Sequence, residues 1–208
     1  MSYEALKTEA RSHGLFIMGA MHPDTGTLIL LGTGEGFWPI FTSSVEYEDD
    51  QPDPLDRWSK RVIGDMAAKH NAECHFPSDG PPYPPFITWA LNSERFHSSP
   101  INMLVHDQAG LMVSLRGALH IPERLTIPGA SAESPCDKCT DQPCRTACPV
   151  DALNGSYDVP ACKAWIASPK GASCLTGGCL ARRACPLSQS HGRLAEQSAF
   201  HMEAFLNS

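Results

Sequence analysis

The order of hydrophobic and polar residues predicts a helix followed by two short strands at the start of the chain. Ser2 is placed to cap a helix over residues 3–13, and Gly14 follows where a left-handed residue ends many helices. The apolar runs 15–20 and 27–31 have the length of buried strands and flank a turn-like segment with proline and glycine. The beginning of the chain therefore mixes both kinds of regular structure.

A second helix is predicted from Asp53 and Pro54 onward, because an acidic cap followed by proline is typical of a helix start. Its apolar positions recur at helical spacing. They are Leu55, Trp58, Val62 and Met66. Residues 77–85 contain too many prolines for regular structure and are expected to form a loop. Residues 101–106 and 111–121 are predicted as two strands joined by a short turn, so that this part has an α+β fold.

The distribution of cysteine divides the chain in two. Eight of the nine cysteines lie after residue 131, whereas Cys74 stands alone in the first part. The excess of acidic residues lies entirely before residue 131, and the segment 127–135 is rich in proline and small residues. We therefore expect an α+β domain over residues 1–130 and a cysteine-rich domain over residues 131–208.

Composition excludes several classes of protein. The chain has 208 residues, of which 42% are hydrophobic, and a formal charge of −7, which is unlike a disordered or a nucleic-acid-binding protein. It contains no apolar stretch long enough for a membrane-spanning helix, and we expect no export signal in its first residues. A cytoplasmic protein with no membrane partner is expected. In the cytoplasm its nine thiols would stay reduced, so we expect them to serve metal or redox chemistry.

The eight grouped cysteines have a spacing typical of two iron–sulfur clusters. They are Cys136, Cys139, Cys144, Cys148, Cys162, Cys174, Cys179 and Cys185. In two-cluster ferredoxins, the cysteine before a proline crosses from its own group to the other [4Fe-4S] cluster. Cys148 and Cys185 both precede prolines, so two crossings are expected. One cluster is then held by Cys136, Cys139, Cys144 and Cys185, and the other by Cys148, Cys162, Cys174 and Cys179.

The spacing also leaves a zinc interpretation open. Four residues separate Cys139 from Cys144, and Cys174 from Cys179, where ferredoxins have two. Such intervals also suit two four-cysteine zinc sites, which would make the domain a zinc-stabilised interaction module. The two Cys-Pro pairs favour iron–sulfur clusters. Cys74 is expected to be a buried apolar residue rather than a ligand.

Residues 136–186 resemble the ferredoxin module at the C-terminal end of epoxyqueuosine reductases and corrinoid reductive dehalogenases. In those proteins a lone cysteine that opens a helix, here Cys162, joins the second cluster. Residues 101–122, with their Arg-Gly-Ala-Leu sequence, resemble a strand pair of those reductases and of cobalamin-processing CblC proteins. Segments 37–39 and 53–58 resemble bacterial proteins of this length called ferredoxins. The resemblance implies a nitroreductase-like or CblC-like first domain, a ferredoxin-like second domain and redox activity.

A cofactor site in the first domain is a further expectation. Trp38, Tyr83 and Arg116 are the residues expected to enclose a corrinoid or a flavin, and no catalytic residue is assigned. We expect an electron-transfer protein that passes single electrons through two [4Fe-4S] clusters to a redox partner protein or a small-molecule cofactor. The alternative is a corrinoid- or flavin-dependent reductase fed by the same clusters. No nucleic-acid partner is expected, although the resemblance to epoxyqueuosine reductases leaves a tRNA substrate open.

Overall fold

The computed structural model describes all 208 residues, and their contacts divide the chain into two units. The first unit comprises residues 1–96 and 114–132, and the second comprises residues 97–113 and 133–208. Residues 97–113 therefore join the cysteine-rich part, whereas the sequence-based boundary places them in the first domain. No helix in either unit combines the length and the apolar character needed to cross a membrane.

The first unit contains five helices and a four-stranded antiparallel sheet. Its helices are α1 (Tyr3–Ser12), α2 (Phe37–Thr42), α3 (Val45–Glu48), α4 (Pro54–Lys69) and α5 (Phe86–Asn92). Its strands are β1 (Leu15–Met21), β2 (Thr27–Thr33), β3 (Glu73–His75) and, later in the chain, β6 (Leu115–Ile121). The strand order is β1-β2-β6-β3. This mixture of helices and sheet confirms the predicted α+β class.

The predicted first helix and the two strands after it are confirmed. The Ser2 hydroxyl accepts a hydrogen bond of 3.2 Å from the backbone N–H of Ala5, as a capping residue does. Gly14 has a φ of 70°, and a Cβ at this position would lie 2.5 Å from the Cα of Phe37. Glycine is therefore required where α1 ends and β1 begins.

Helix α4 packs its apolar face against β6. All four predicted core positions, Leu55, Trp58, Val62 and Met66, are buried. Gly117 makes room for the helix, because a Cβ there would lie 2.8 Å from the Cδ1 atom of Ile63. Each fully buried side chain of this size contributes about 1.5–3 kcal/mol to folding. This face therefore holds β6 in the middle of the unit.

The predicted side-chain cap at Asp53 is wrong, although the helix begins at Pro54 as expected. Asp53 has a φ of 52°, which is left-handed, and its carboxylate accepts no capping hydrogen bond. A capping side chain returns to the first turn only from an extended backbone. The Asp53 carbonyl accepts the N–H of Arg57 at 3.0 Å, and the Arg57 guanidinium pairs with Asp49 at 2.7 Å.

The second unit consists of a small hairpin and several short helices. Its elements are β4 (Phe96–Ser98, whose first residue is counted with the first unit), β5 (Leu104–His106), α6 (Val159–Ile166), α7 (Ala172–Gly177), α8 (Leu180–Ala184), α9 (Pro186–Ser190) and α10 (Ala195–Asn207). A compact core includes Ile101, Val105, Leu111, Cys144 and Leu153, and several other cysteines pack against it. The cysteine-rich segment thus shares one core with residues 97–113.

Residues 101–106 and 111–121 each contain a strand, as predicted, but the expected pairing of these two strands is wrong. Strand β5 pairs with β4, whereas β6 pairs with β2 and β3 in the larger sheet. After β5 the chain turns back at once, since the backbones of His106 and Gly110 exchange hydrogen bonds of 2.8 and 2.9 Å. Val105 and Leu111, on the two sides of this turn, share the core of the second unit, whereas Leu119 and Ile121 of β6 are buried in the first unit. Periodicity along the sequence does not distinguish such cores.

Candidate metal centres

Four cysteines surround a cavity of about 340 Å³ in the second unit. They are Cys136, Cys139, Cys144 and Cys185, which form the first group predicted from the spacing. Cys136 lies in the 3₁₀ turn Pro135–Lys138, and Cys144 lies in the 3₁₀ turn Pro143–Arg145. Cys185 lies between α8 and α9. Two tight turns and one helix end therefore present these thiols to the same cavity.

The first cavity disfavours the ionised form of its own thiols. Its wall is mostly apolar and includes Val105 and Leu187. Burial raises the pKa of Cys136 and of Cys144, and negative charge on Cys185 and the other cysteines of the group raises both further. Several thiolates are stable together in such a place only when a metal centre supplies positive charge.

The turn after β5 packs directly against this group. A Cβ at Gly110, whose φ is 58°, would lie 2.5 Å from the backbone nitrogen of Ser188 and 3.0 Å from the Sγ atom of Cys185. The backbone N–H of Leu111 donates to the Ser188 hydroxyl at 2.9 Å. The Arg182 guanidinium donates to the Leu111 carbonyl at 3.1 Å. This turn is therefore a fixed part of the wall of the first site.

The other four cysteines line a smaller cavity, of about 30 Å³. They are Cys148, Cys162, Cys174 and Cys179. Cys162 and Cys174 lie in α6 and α7, and Cys179 immediately precedes α8. Cys148 thus faces the later cysteines of the chain, while Cys185 faces the earlier ones. The two sets that line the two cavities are the crossed groups expected from the Cys-Pro pairs.

Two side chains near the second cavity carry polar hydrogens. The Tyr157 hydroxyl donates to the Sγ atom of Cys162 at 3.4 Å. Burial raises the pKa of Cys162, and this hydrogen bond partly offsets the effect. Burial also raises the pKa of Tyr157, so the phenol keeps the proton that it donates. The indole Nε1 of Trp165, which also lines this cavity, is buried and has no hydrogen-bond partner. The sequence predicts a helix that carries Trp165 beside Cys162 as cover for a cluster, whereas no motif marks Tyr157.

The sulfur atoms of neither group converge on one point. No three cysteines have all their sulfur atoms within 4.8 Å of one another, and no disulfide joins any pair. A zinc ion with Zn–S bonds of about 2.3 Å holds its tetrahedral sulfur ligands about 3.8 Å apart. The cysteines of each group are therefore spaced more widely than the ligands of a single zinc ion.

The three residues considered for a corrinoid or a flavin have separate surroundings. The Trp38 ring packs at 5.8 Å from the ring of Phe41. The Arg116 guanidinium lies 3.4 Å from the Asp56 carboxylate, and its Nε donates to the carbonyl of the preceding residue. Tyr83 is 66% exposed, in the proline-rich loop that the sequence predicts. These contacts give Trp38 and Arg116 structural roles, and cofactor binding by the three residues stays a prediction.

Cys74 lines neither cysteine cavity. It is half-buried in β3, opposite Leu119 of β6. Burial raises the pKa of its thiol. The sequence predicts a buried position, whereas the thiol is only half-buried; its protonated form acts as a small apolar side chain.

The fold and the two cavities define a mixed α+β protein with two separate groups of four cysteines. Comparisons with protein-family models, with characterised proteins and with solved structures find no match for this chain. The functional conclusion therefore depends on the chemistry of the cysteine groups themselves.

Proposed function

We propose that this protein transfers single electrons through two [4Fe-4S] clusters. Cys136, Cys139, Cys144 and Cys185 hold one cluster, and Cys148, Cys162, Cys174 and Cys179 hold the other. One observation carries the proposal: each set of four lines its own cavity, and each set includes a Cys-Pro cysteine from the other end of the segment. This exchange is the ligand pattern of two-cluster ferredoxins.

An iron–sulfur cube does not require its four cysteine sulfur atoms to meet at one metal ion. In a cube each thiolate binds a different iron atom, so the four sulfur atoms stand around the cluster instead of touching one centre. No three cysteine sulfur atoms in the protein all lie within 4.8 Å of one another, which is compatible with that arrangement. A zinc site would require each group to contract.

The chemistry of both cavities fits a cluster, but their sizes differ. The first, at about 340 Å³, is an apolar space with thiols on its wall. The second, at about 30 Å³, would have to widen to hold a cluster, and Tyr157 and Trp165 on its wall would supply polar hydrogens for bonds to sulfur. Apolar burial and hydrogen bonds to sulfur are the means by which a protein sets the potential of a cluster.

Chain connectivity keeps the two cysteine groups close together. Cys144 and Cys148 belong to different groups and are four residues apart, so their Cα atoms are separated by at most about 14 Å. Cys179 and Cys185 also belong to different groups and are joined by α8, whose rise of about 1.5 Å per residue gives about 9 Å. Clusters held by these cysteines would therefore lie close enough together for an electron to pass between them.

When bound, each cluster accepts and returns one electron. The chain holds the thiolates, excludes water from the sulfur atoms and supplies the Tyr157 hydrogen bond. The electron donor and acceptor are a redox partner protein or a small-molecule cofactor.

Anaerobic purification tests the proposal directly. The protein is expected to be brown and to contain about eight iron atoms and about eight inorganic sulfides per chain. Reduction should bleach the visible absorption and produce electron paramagnetic resonance (EPR) signals of reduced clusters. Colourless protein with zinc bound to these cysteines would refute the proposal.

The crossed grouping is tested by exchanging one Cys-Pro cysteine at a time. Cys148→Ser is expected to damage the cluster of Cys162, Cys174 and Cys179, while Cys185→Ser damages the other. Each variant should lose about half of the iron, and the two variants should give different EPR spectra that together account for the wild type. The matched control Cys74→Ser should keep all the iron. Equal iron in both crossing variants and wild type would contradict the grouping.

A further inference from the structure

One face of the sheet in the first unit brings together three side chains of types that can bind a metal ion. Glu73 of β3 lies directly opposite His120 of β6 in the antiparallel register. His75 is two residues after Glu73, so its side chain is on the same face of the sheet. The ligand atoms of Glu73, His75 and His120 all lie within 4.8 Å of one another. This is the one set of three such residues in the protein that meets that distance.

The orientation of His120 is set by a contact outside this group. Its Nε2 lies 2.8 Å from the carbonyl oxygen of Thr25, in the turn between β1 and β2. A carbonyl only accepts hydrogen bonds, so Nε2 is the donor, and the neutral imidazole with this tautomer has its lone pair on Nδ1. That Nδ1 lies 4.0 Å from the Glu73 carboxylate. Metal-binding histidines commonly donate their second nitrogen to a backbone carbonyl in this way.

The group of Glu73, His75 and His120 is accessible to solvent, while neighbouring residues restrict the movement of its two histidines. The side chain of His120 is 27% exposed, whereas that of Glu73 is 79% exposed and free to move toward an ion. His75 packs against the ring of Trp89 in α5, at 5.5 Å between ring centroids. Two imidazoles held by neighbours and one mobile carboxylate can close around an ion with a small movement of Glu73.

We propose that Glu73, His75 and His120 form a binding site for a divalent transition-metal ion, with zinc as the best match. Two imidazole nitrogens and one carboxylate oxygen are a common zinc ligand set and leave a fourth position for water or another ligand. Zinc bonds of about 2.0–2.1 Å require ligand atoms about 3.4 Å apart, so the group contracts slightly on binding. The site uses none of the eight grouped cysteines and does not depend on the proposed clusters.

Zinc titration of the anaerobically purified protein tests the site. Isothermal titration calorimetry with zinc chloride is expected to find one more zinc equivalent in the wild type than in the double variant Glu73→Gln/His120→Gln. Any zinc taken up by the grouped cysteines cancels in this difference, because both proteins keep them. Glu73→Gln alone should weaken the affinity of this site at least about tenfold. The Glu73 side chain is 79% exposed, so its replacement should not disturb folding. The single variant therefore measures the zinc affinity even if the double variant does not fold.

Histidine ring signals provide a second readout. In protein labelled with ¹⁵N-histidine, zinc should shift the ring nitrogens of His75 and His120. His13→Gln is the matched control: it should keep the full zinc count and leave those shifts unchanged. Equal zinc counts in the wild type and the double variant, or unmoved ring signals at saturating zinc, would overturn the proposal.

Discussion

Replacing Gly110 with alanine tests the role of the turn after β5 in the first cysteine site. The backbone of Gly110 is left-handed, with a φ of 58°. An added Cβ would meet the backbone nitrogen of Ser188 at 2.5 Å and the Sγ atom of Cys185 at 3.0 Å. Backbone cannot swing aside as a flexible side chain does. The methyl group therefore displaces either this turn or the start of α9 with the adjacent thiol.

The expected destabilisation has two parts. A non-glycine residue in left-handed geometry costs about 1–2 kcal/mol. Overpacking of a tight contact adds about 1–3 kcal/mol. Gly192→Ala is the matched control, because Gly192 has a φ of 71° but no atom within 4 Å of the added Cβ. The control variant has only the cost of the left-handed backbone. The difference in destabilisation between the two variants is therefore the overpacking cost at Gly110.

Loss of visible absorption in guanidinium chloride under anaerobic conditions provides the assay. A packing contribution of about 1–3 kcal/mol corresponds to a ratio of bleaching rates of about 5–150. Gly110→Ala should therefore bleach faster than Gly192→Ala by at most this ratio. The EPR signal of the cluster held by Cys185 should disappear first. Equal bleaching rates in the two variants, or earlier loss of the other cluster, would refute the assignment of this turn to the wall of the first site.

Two further variants test the contacts of single side chains. Tyr157→Phe removes the hydrogen bond to Cys162 and is expected to lower the reduction potential of the cluster that Cys162 holds while leaving the other unchanged, as measured by an EPR-monitored redox titration. Glu46→Gln removes a carboxylate whose pKa is lowered from 4.5 mainly by hydrogen bonds from Arg61. A lowered pKa stabilises the fold above about pH 4.5, and this contribution is lost as the pH falls through the folded-state pKa. The variant should be about 1–3 kcal/mol less stable than the wild type at pH 7, and urea unfolding should find the gap closing in acid; a constant gap would contradict this.

Local signals in the sequence are sufficient to predict much of the secondary structure of the first unit. The caps and spacing around α1 and α4 act within one or two helical turns, so Ser2, Gly14 and Pro54 mark helix boundaries independently of the rest of the chain. The left-handed Asp53 was not predictable in this way. Its backbone geometry occurs together with Arg57 contacts to Asp49 and to nearby carbonyls, which depend on how the preceding loop folds.

The cysteine groups were predictable for a different reason. Ligand spacing in an iron–sulfur motif reflects the size of the cluster, so the positions of the cysteines and prolines predict two groups of four. The same groups line the two cavities, and their binding of clusters stays a prediction. The size of each cavity and the contact of Tyr157 with Cys162 depend on side-chain packing that no spacing encodes. The same holds for Glu73 and His120, which are 47 positions apart in the sequence and meet only because β3 pairs with β6.

Residues 97–113 precede the cysteine-rich segment in the sequence but belong to the same structural unit, so that segment is not a complete unit by itself. Val105 and Leu111 cover the first cavity, and the hydrogen bonds from Leu111 to Ser188 and from Arg182 to Leu111 connect this turn to the helices that carry Cys185. A chain that began after residue 130 would leave this side of the first site open to water. Solvent exposure changes both the potential and the durability of an iron–sulfur cluster. The electron-transfer unit that we propose therefore includes a hairpin that, by sequence position, belongs with the sheet.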